Sequence, residues 1–279
     1  MTIKNIYVGD ICNLNCVHCP IPNKQEEPRA LEDILTEINE SDGKFQIQGC
    51  VLCHPNWKKI IEHAHNVAGH KITICSNTTH LIDPKNAEIV AKHVDKIHIP
   101  VFGSTAYTYL AITDTPGTYE AYEAGILNAR MYGITLIPHV VMSMFITMDE
   151  GEVAAEWMFE HFTESPEIHL HIVNPLKVVE IVKQRRNYPK LRSRVHSFDT
   201  DFTDIEWFVA LLRKYLRQKI YIHNAPLCVF HSIPDVAIVQ TENHVYTDVC
   251  EKCAMKGICR GVPQWSSEKP LPIYAIKQQ

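Results

Sequence analysis

Three cysteines on one short loop constrain this chain more than any other feature. Cys12, Cys16 and Cys19 stand at C-x3-C-x2-C spacing, directly after the apolar run Ile6-Tyr7-Val8. Three thiolates on one loop can hold three irons of a 4Fe–4S cube and leave the fourth iron open to a substrate or cofactor. The competing reading is a zinc site, with His18 completing a Cys3His tetrahedron. Zinc loops usually pair two C-x2-C hooks, whereas this loop follows a strand-like run.

Behind the loop, apolar runs of strand length alternate with helical patterns. Strands are expected at about 3–8, 44–49, 72–75, 96–101, 134–142, 168–173 and 219–223. Leu31 to Ile38 fits a helix. Pro55 opens another, with Trp57, Ile60, Ile61 and Ala64 on one face. Asp83-Pro84 caps a third, and 118–131 reads as a fourth. Thr147-Met148-Asp149-Glu150 and Thr203-Asp204-Ile205-Glu206 have capping-box spacing before two more. The polar stretch from Gly103 to Gly117 reads as a loop covering the open end of the sheet. Strands separated by helices mean βαβ units and a parallel sheet. Six such repeats are too few for a closed eight-stranded barrel. Sheets of this kind place their chemistry at the carboxyl ends of the strands, where the cysteine loop lies.

With 279 residues, 46% of them hydrophobic, the chain has ample material for one large domain and a small appendage. Its net charge of −5 gives no global attraction to nucleic acid. The basic run Lys183 to Arg194 reads as a solvated face. No apolar run is long enough to span a membrane, and the first twenty residues lack a signal-peptide layout. Ten cysteines without such a signal, several at C-x2-C spacing, favour metal binding in a reducing cytoplasm over disulfides. Cys50 and Cys53 read as two small buried thiols, with a metal or redox pair as the alternative.

Alternation singles out a set of histidines. Ile97 and Ile99 oppose His98; Ile168, Leu170 and Ile172 oppose His169 and His171; Ile220 and Ile222 oppose Tyr221 and His223. His139 lies on the fifth strand. Helices cover the aliphatic face, so the histidine face points inward. His98, His139, His169 and His171 are candidates for lining a polar substrate pocket, against the alternative that each is a satisfied core histidine.

Near the C-terminus, Cys228, Cys250, Cys253 and Cys259 supply four thiolates at C…C-x2-C-x5-C spacing, a complete metal site.

The first cysteine loop, with a ring residue (His18) just before its third cysteine, resembles that of the radical SAM enzymes. The resemblance implies an α/β fold built as a partial (β/α)6 TIM-like barrel with a small cysteine-rich C-terminal extension. The barrel would occupy 1–215 and the extension 216–279. It implies a 4Fe–4S cluster on Cys12, Cys16 and Cys19, whose open iron is chelated by S-adenosylmethionine (SAM). In the family, a Gly-Gly-Glu-type motif ends the second strand. Here the matching stretch is Gln48-Gly49-Cys50, aligned through His54-Pro55, with Cys50 where the acid is expected. A thiol is a weak acceptor, so Gln48 and backbone carbonyls are left to meet the SAM ammonium. Ser76-Asn77-Thr78 resembles the family's Ser-Asn-Gly turn beside the methionyl carboxylate or ribose, and His18 takes the place next to the adenine. The C-terminal cysteines resemble a short SPASM or twitch extension and imply an auxiliary 4Fe–4S cluster; a zinc site on the same four thiolates is the alternative.

The implied activity is reductive cleavage of SAM to a 5′-deoxyadenosyl radical, which abstracts hydrogen from the substrate. A one-electron donor such as flavodoxin or ferredoxin is the implied partner. No membrane or nucleic-acid partner is expected. The chain starts directly at the barrel, so a small metabolite is the favoured substrate in a biosynthetic pathway, with a ribosomally made peptide as the alternative. A non-catalytic zinc protein is the reading from another class.

Overall fold

The computed structural model describes residues 3–19, 28–142, 148–172, 202–225, 236–239, 244–246, 248–254 and 256–263. It divides into two compact units, Met1–Pro138 and His139–Gln279.

In the first unit β1 (Lys4–Tyr7), β2 (Phe45–Gln48), β3 (Ile72–Cys75) and β4 (Val94–Val101) lie side by side in that order, all parallel. The register aligns Ile6, Ile47, Ile74 and Ile97 in one row across the sheet. All four are fully buried. A branched aliphatic side chain fits the pleated surface under a helix layer, and burying four contributes at most about 6–12 kcal/mol. The neighbouring positions Tyr7, Gln48, Cys75 and His98 point to the other face and keep part of their surface open. Helices α1 (Leu31–Asn39), α2 (Trp57–Ala68) and α3 (Pro84–His93) pack on β1, β3 and β4. Their buried stripes are Ile34 and Ile38, then Trp57, Ile60, Ile61 and Ala64, then Ala87 and Val90. The expected cap of α3 is present: Asp83 accepts the Lys85 N–H, and Pro84 takes the first turn, where no N–H is needed.

The stretch expected as a loop over 103–117 contains a helix instead, α4 (Ala106–Thr113). Thr105 and Thr108 form a reciprocal cap: each hydroxyl accepts the other's backbone N–H at 3.2 Å. Tyr109 and Ile112 are fully buried. The helix is buried around most of its circumference, so its sequence carries no one-sided apolar stripe. Helix α5 (Tyr119–Met131) follows as expected and packs on the short 3-10 turn Thr79–Ile82.

The fifth strand, β5 (Thr135–Met142), carries the chain into the second unit. There β6 (Glu167–Ile172), β7 (Lys219–His223) and β8 (Val236–Val239) continue a parallel ladder in chain order from β5. The eighth strand is not anticipated by the sequence reading. Helices α6 (Met148–Phe162) and α7 (Phe202–Tyr215) pack together. Helix α7 begins at Phe202, so Thr203 lies inside its first turn and is not its cap. Thr147 falls outside the described residues, as do Cys228 and the basic run 183–194. A small antiparallel pair, β9 (His244–Val245) and β10 (Val262–Pro263), lies near the last cysteines. The fold is α/β with eight parallel strands that do not close, the form of a partial TIM-like barrel. No described helix is long and apolar enough to cross a membrane.

Candidate functional site

The cysteine loop leaves β1 at its carboxyl end and is tied down from two sides. On one side its backbone meets the end of α4: the Asn15 N–H donates to Thr113 O at 3.0 Å and the Val17 N–H to Ile112 O at 2.8 Å. Leu14 and Val17 are buried as apolar pegs. On the other side it meets the turn after β3. Asn13 Nδ2 donates to Thr79 Oγ1 at 2.8 Å, and Asn77 Nδ2 donates to Asn13 Oδ1 at 2.9 Å. Asn77 Oδ1 in turn accepts from the Thr79 N–H and hydroxyl, at 3.1 and 2.6 Å. Within the loop the Leu14 N–H points to Cys12 Sγ at 3.5 Å. Of the three loop cysteines, Cys16 is buried and Cys12 and Cys19 are half-buried.

The turn after β2 closes on the same place. Gly49 has φ +97°, and a Cβ there would meet Val8, Tyr7 and Gly9 O at 3.1–3.3 Å. This is why the one glycine kept from the family motif is kept here. Cys50 and Cys53 follow, with sulfurs 3.0 Å apart. They converge with Cys12, the three sulfurs lying within 4.8 Å of one another. The Cys12 thiol beside it pushes the Cys53 thiol up to about 12, helped by burial. Cys12 and Cys53, again with burial, hold the Cys50 thiol well above its ordinary value. Spacing alone shows the Cys50–Cys53 pair but not its meeting with Cys12, which depends on the parallel register of β1 and β2.

Ser76 and Asn77 are buried at the end of β3. Ser76 Oγ accepts the Leu52 N–H at 3.1 Å, and Asn77 Nδ2 also reaches Cys50 Sγ at 3.0 Å. Both residues thus brace the cysteine loop and the Cys50 turn. Asn77→Ala would strand the buried Thr79 N–H and the proton of the Thr79 hydroxyl. Each stranded group costs about 1–3 kcal/mol, so the variant should unfold at lower urea concentration than the parent, and should take up iron more slowly on reconstitution. An unchanged urea midpoint would remove the bracing role.

Gln48 is half-buried, its carbonyl accepting the Val8 N–H at 3.1 Å. His18 lies against Phe102, ring centroids 5.5 Å apart. Phe102 was missed in the sequence; its place at the carboxyl end of β4 is the signal that could have found it. His54 is a structural residue. Its Nδ1 accepts the Asn56 N–H, so Nε2–H donates to Arg29 O at 3.0 Å.

In the second unit, His139, His169, Tyr221 and His171, His223 form two rows across β5, β6 and β7. The aliphatic partners Ile168, Leu170, Ile220 and Ile222 are fully buried and the histidines half-buried, as alternation predicts. The rings stack: His139 on His169 at 4.4 Å, His171 on His223 at 4.1 Å, and His169 on Tyr221 at 4.8 Å between centroids. Burial lowers the His169 pKa, and burial with His169 nearby lowers that of His223 to about 4. The His169 and His223 rings are therefore uncharged at neutral pH. His98, on β4 of the first unit, is half-buried between the buried Ile97 and Ile99.

Of the C-terminal cysteines, Cys250 is buried on the 3-10 turn Asp248–Lys252. The Cys253 N–H donates to Cys250 O at 3.1 Å. The Gly261 N–H donates to Cys259 Sγ at 3.3 Å, and the Tyr246 hydroxyl donates to Cys259 O at 2.8 Å.

A braced thiol loop at the carboxyl end of the first strand of a parallel α/β sheet is the frame of an enzyme that holds an iron–sulfur cofactor at its strand ends. Residues 6–158, more than half of the chain, match the family model described as the Radical SAM superfamily. The chain belongs to that superfamily. Solved structures share the fold. SuiB from Streptococcus suis bound to precursor peptide SuiA aligns with a TM-score of 0.58 at 12% identity, over 84% of this chain and 52% of that one. Methylornithine synthase (PylB) aligns at 0.54 and 10%, over 85% and 71%. AdoMet-bound anSMEcpe aligns at 0.53 and 11%, over 78% and 64%. This chain therefore spans about half the length of the SuiB chain. No curated protein matches by sequence. The family implies a 4Fe–4S cluster and SAM, and the residues fit: Cys12, Cys16 and Cys19 supply three sulfurs from one loop fixed by hydrogen bonds to neighbouring backbone and amides.

Proposed function

We propose that this chain reductively cleaves SAM and takes a hydrogen atom from a small-metabolite substrate in a biosynthetic pathway. The braced loop of Cys12, Cys16 and Cys19 at the end of β1 carries this reading. When bound, the cluster supplies the electron that splits SAM into methionine and a 5′-deoxyadenosyl radical. The chain's own residues position and shield. Gly49 lets the backbone pass close to the loop, and Gln48 with the backbone carbonyls around Cys50 is assigned to the SAM ammonium. Ser76 and Asn77 fix the turn assigned to the carboxylate or ribose. His18, backed by Phe102, offers a flat ring to the adenine. The histidine face, His98, His139, His169 and His171, is assigned to the substrate, which suits a polar or anionic molecule.

Residues 1–215 form the catalytic barrel in this reading and 216–279 an extension, with Cys228, Cys250, Cys253 and Cys259 holding an auxiliary 4Fe–4S cluster. The Gly261 N–H aimed at Cys259 Sγ supports a ligand role for that sulfur. A flavodoxin or ferredoxin in the cytoplasm is the proposed electron source. A peptide substrate is the second reading, favoured by the likeness in fold to SuiB with its bound precursor peptide. The test is anaerobic purification and iron analysis, then incubation with dithionite and SAM. About eight irons per chain with 5′-deoxyadenosine formed is the expected result. Zinc in place of iron, with no nucleoside, would overturn the reading.

A further inference from the structure

The histidine rows of the second unit bring several imidazole nitrogens together. One ring nitrogen from each of His169, His171 and His223 lies within 4.8 Å of the other two. His169 Nδ1 is 2.8 Å from His223 Nε2, and His139 Nδ1 is 2.7 Å from His171 Nε2. On the far side of its ring, His169 Nε2 meets Glu167 Oε1 at 3.3 Å. A carboxylate accepts only, so that nitrogen carries the proton and Nδ1 presents a lone pair towards His223. A carboxylate behind an imidazole is the usual support of a metal-ligating histidine, because it fixes tautomer and ring direction.

A satisfied structural histidine needs one donor and one acceptor neighbour. That requirement accounts for a single pair of rings. It does not account for three half-buried imidazoles on two adjacent strands with converging nitrogens, and a fourth hydrogen-bonded behind them. We propose that His169, His171 and His223 bind one first-row divalent transition-metal ion, with a fourth position left open to an anionic oxygen ligand. His139, bonded to His171, acts as a positioning residue. At a metal–nitrogen distance of about 2.0–2.1 Å, the nitrogens of a tetrahedral site lie about 3.3 Å apart. The His169–His223 pair therefore opens by about 0.5 Å, and the His171 ring, which lies on His223 at 4.1 Å with planes 10° apart, swings out of that stack to bring its lone pair to the ion. His223 changes tautomer as the ion enters: the proton that Nε2 donates to His169 Nδ1 goes to solvent and Nδ1 takes one up, so the ring stays neutral. Three imidazoles and an open position are the set that turns a bound water or substrate oxygen acidic. The site goes beyond SAM cleavage and does not depend on it.

The test uses the full chain, anaerobically reconstituted with iron and sulfide so that its thiols are occupied, then given one equivalent of zinc and desalted. Zinc content and zinc K-edge absorption are the readouts. The expected result is about one zinc per chain, with a nitrogen and oxygen shell near about 2.0 Å. His171→Gln and His223→Gln should lose that zinc while keeping the iron content and circular dichroism of the parent. His139→Gln should keep it at an affinity lowered about tenfold. Zinc bound only through sulfur, at about 2.3 Å, would overturn the proposal. So would a nitrogen-bound zinc that persists in both ligand variants. Because 5′-deoxyadenosine formation is measured separately, failure of either reading leaves the other standing.

Discussion

Replacing Cys12, Cys16 and Cys19 together by alanine should remove about four irons per chain and abolish 5′-deoxyadenosine formation from SAM and dithionite. The expectation follows from counting thiolates: a cube whose fourth iron is open has three protein ligands, and none of the three is spare. Cys50 and Cys53 sit close enough to Cys12 to raise the question of replacement. Two sulfurs cannot replace three, and burial raises both thiols. The fold should survive, because the loop is fixed by Asn13, Leu14, Asn15 and Val17 and not by the sulfurs themselves. Iron analysis and the nucleoside assay check the prediction, with circular dichroism as the control. Nucleoside formation by the triple variant would refute the cluster assignment.

Gly125→Ala should lower the stability of the chain by about 2–3 kcal/mol, a fall in Tm of roughly 5–10 °C. At an exposed helical site the same change would stabilise by about 1 kcal/mol, since alanine is the better helix former. Here the sign reverses. A Cβ on Gly125 would collide with the backbone carbonyl of Thr78, an atom that cannot rotate away. The Thr78 hydroxyl also donates to Tyr122 O at 2.9 Å, which holds α5 against that turn. Pushing α5 outward therefore pulls on Ser76-Asn77-Thr78-Thr79, the segment that braces the cysteine loop. Calorimetry of wild type and variant checks the prediction. A Tm at or above the parent's would show that α5 yields without cost.

The sequence reading recovers most of the first unit because two periodicities dominate it. Buried apolar residues recur every second position in the pairs Ile6 and Val8, Phe45 and Ile47, Ile72 and Ile74, and Ile97 and Ile99, and α1 to α3 carry one-sided stripes. Helix α4 escaped for the opposite reason: a helix buried on nearly all sides, rich in Thr and Tyr, has no stripe to detect. Strand β8 escaped because Val236–Val239 is four residues long, and its pairing with β7 cannot be read from so short a run. Among site residues, the three loop cysteines declare themselves by spacing. The meeting of Cys12 with Cys50 and Cys53, and of His169 with His223, depends on register between strands distant in sequence. Asn77 was read as a cofactor contact, and the structure gives it a second role as the hub between two loops.

The two faces of the first sheet differ in what mutation can do to them. Thinning an isoleucine of the Ile6–Ile47–Ile74–Ile97 row to alanine costs about 2–5 kcal/mol, a large part of the about 5–15 kcal/mol that holds a typical protein folded. Substitutions at partly open positions cost far less, often within about 0.5 kcal/mol. Tyr7, Gln48, Cys75 and His98, on the opposite face, belong to that tolerant class. The frame is thus intolerant where it packs and permissive on its open face. A lineage with this sheet can exchange Glu for Cys, or Cys for His, along the open face and test new chemistry without first having to rediscover a fold.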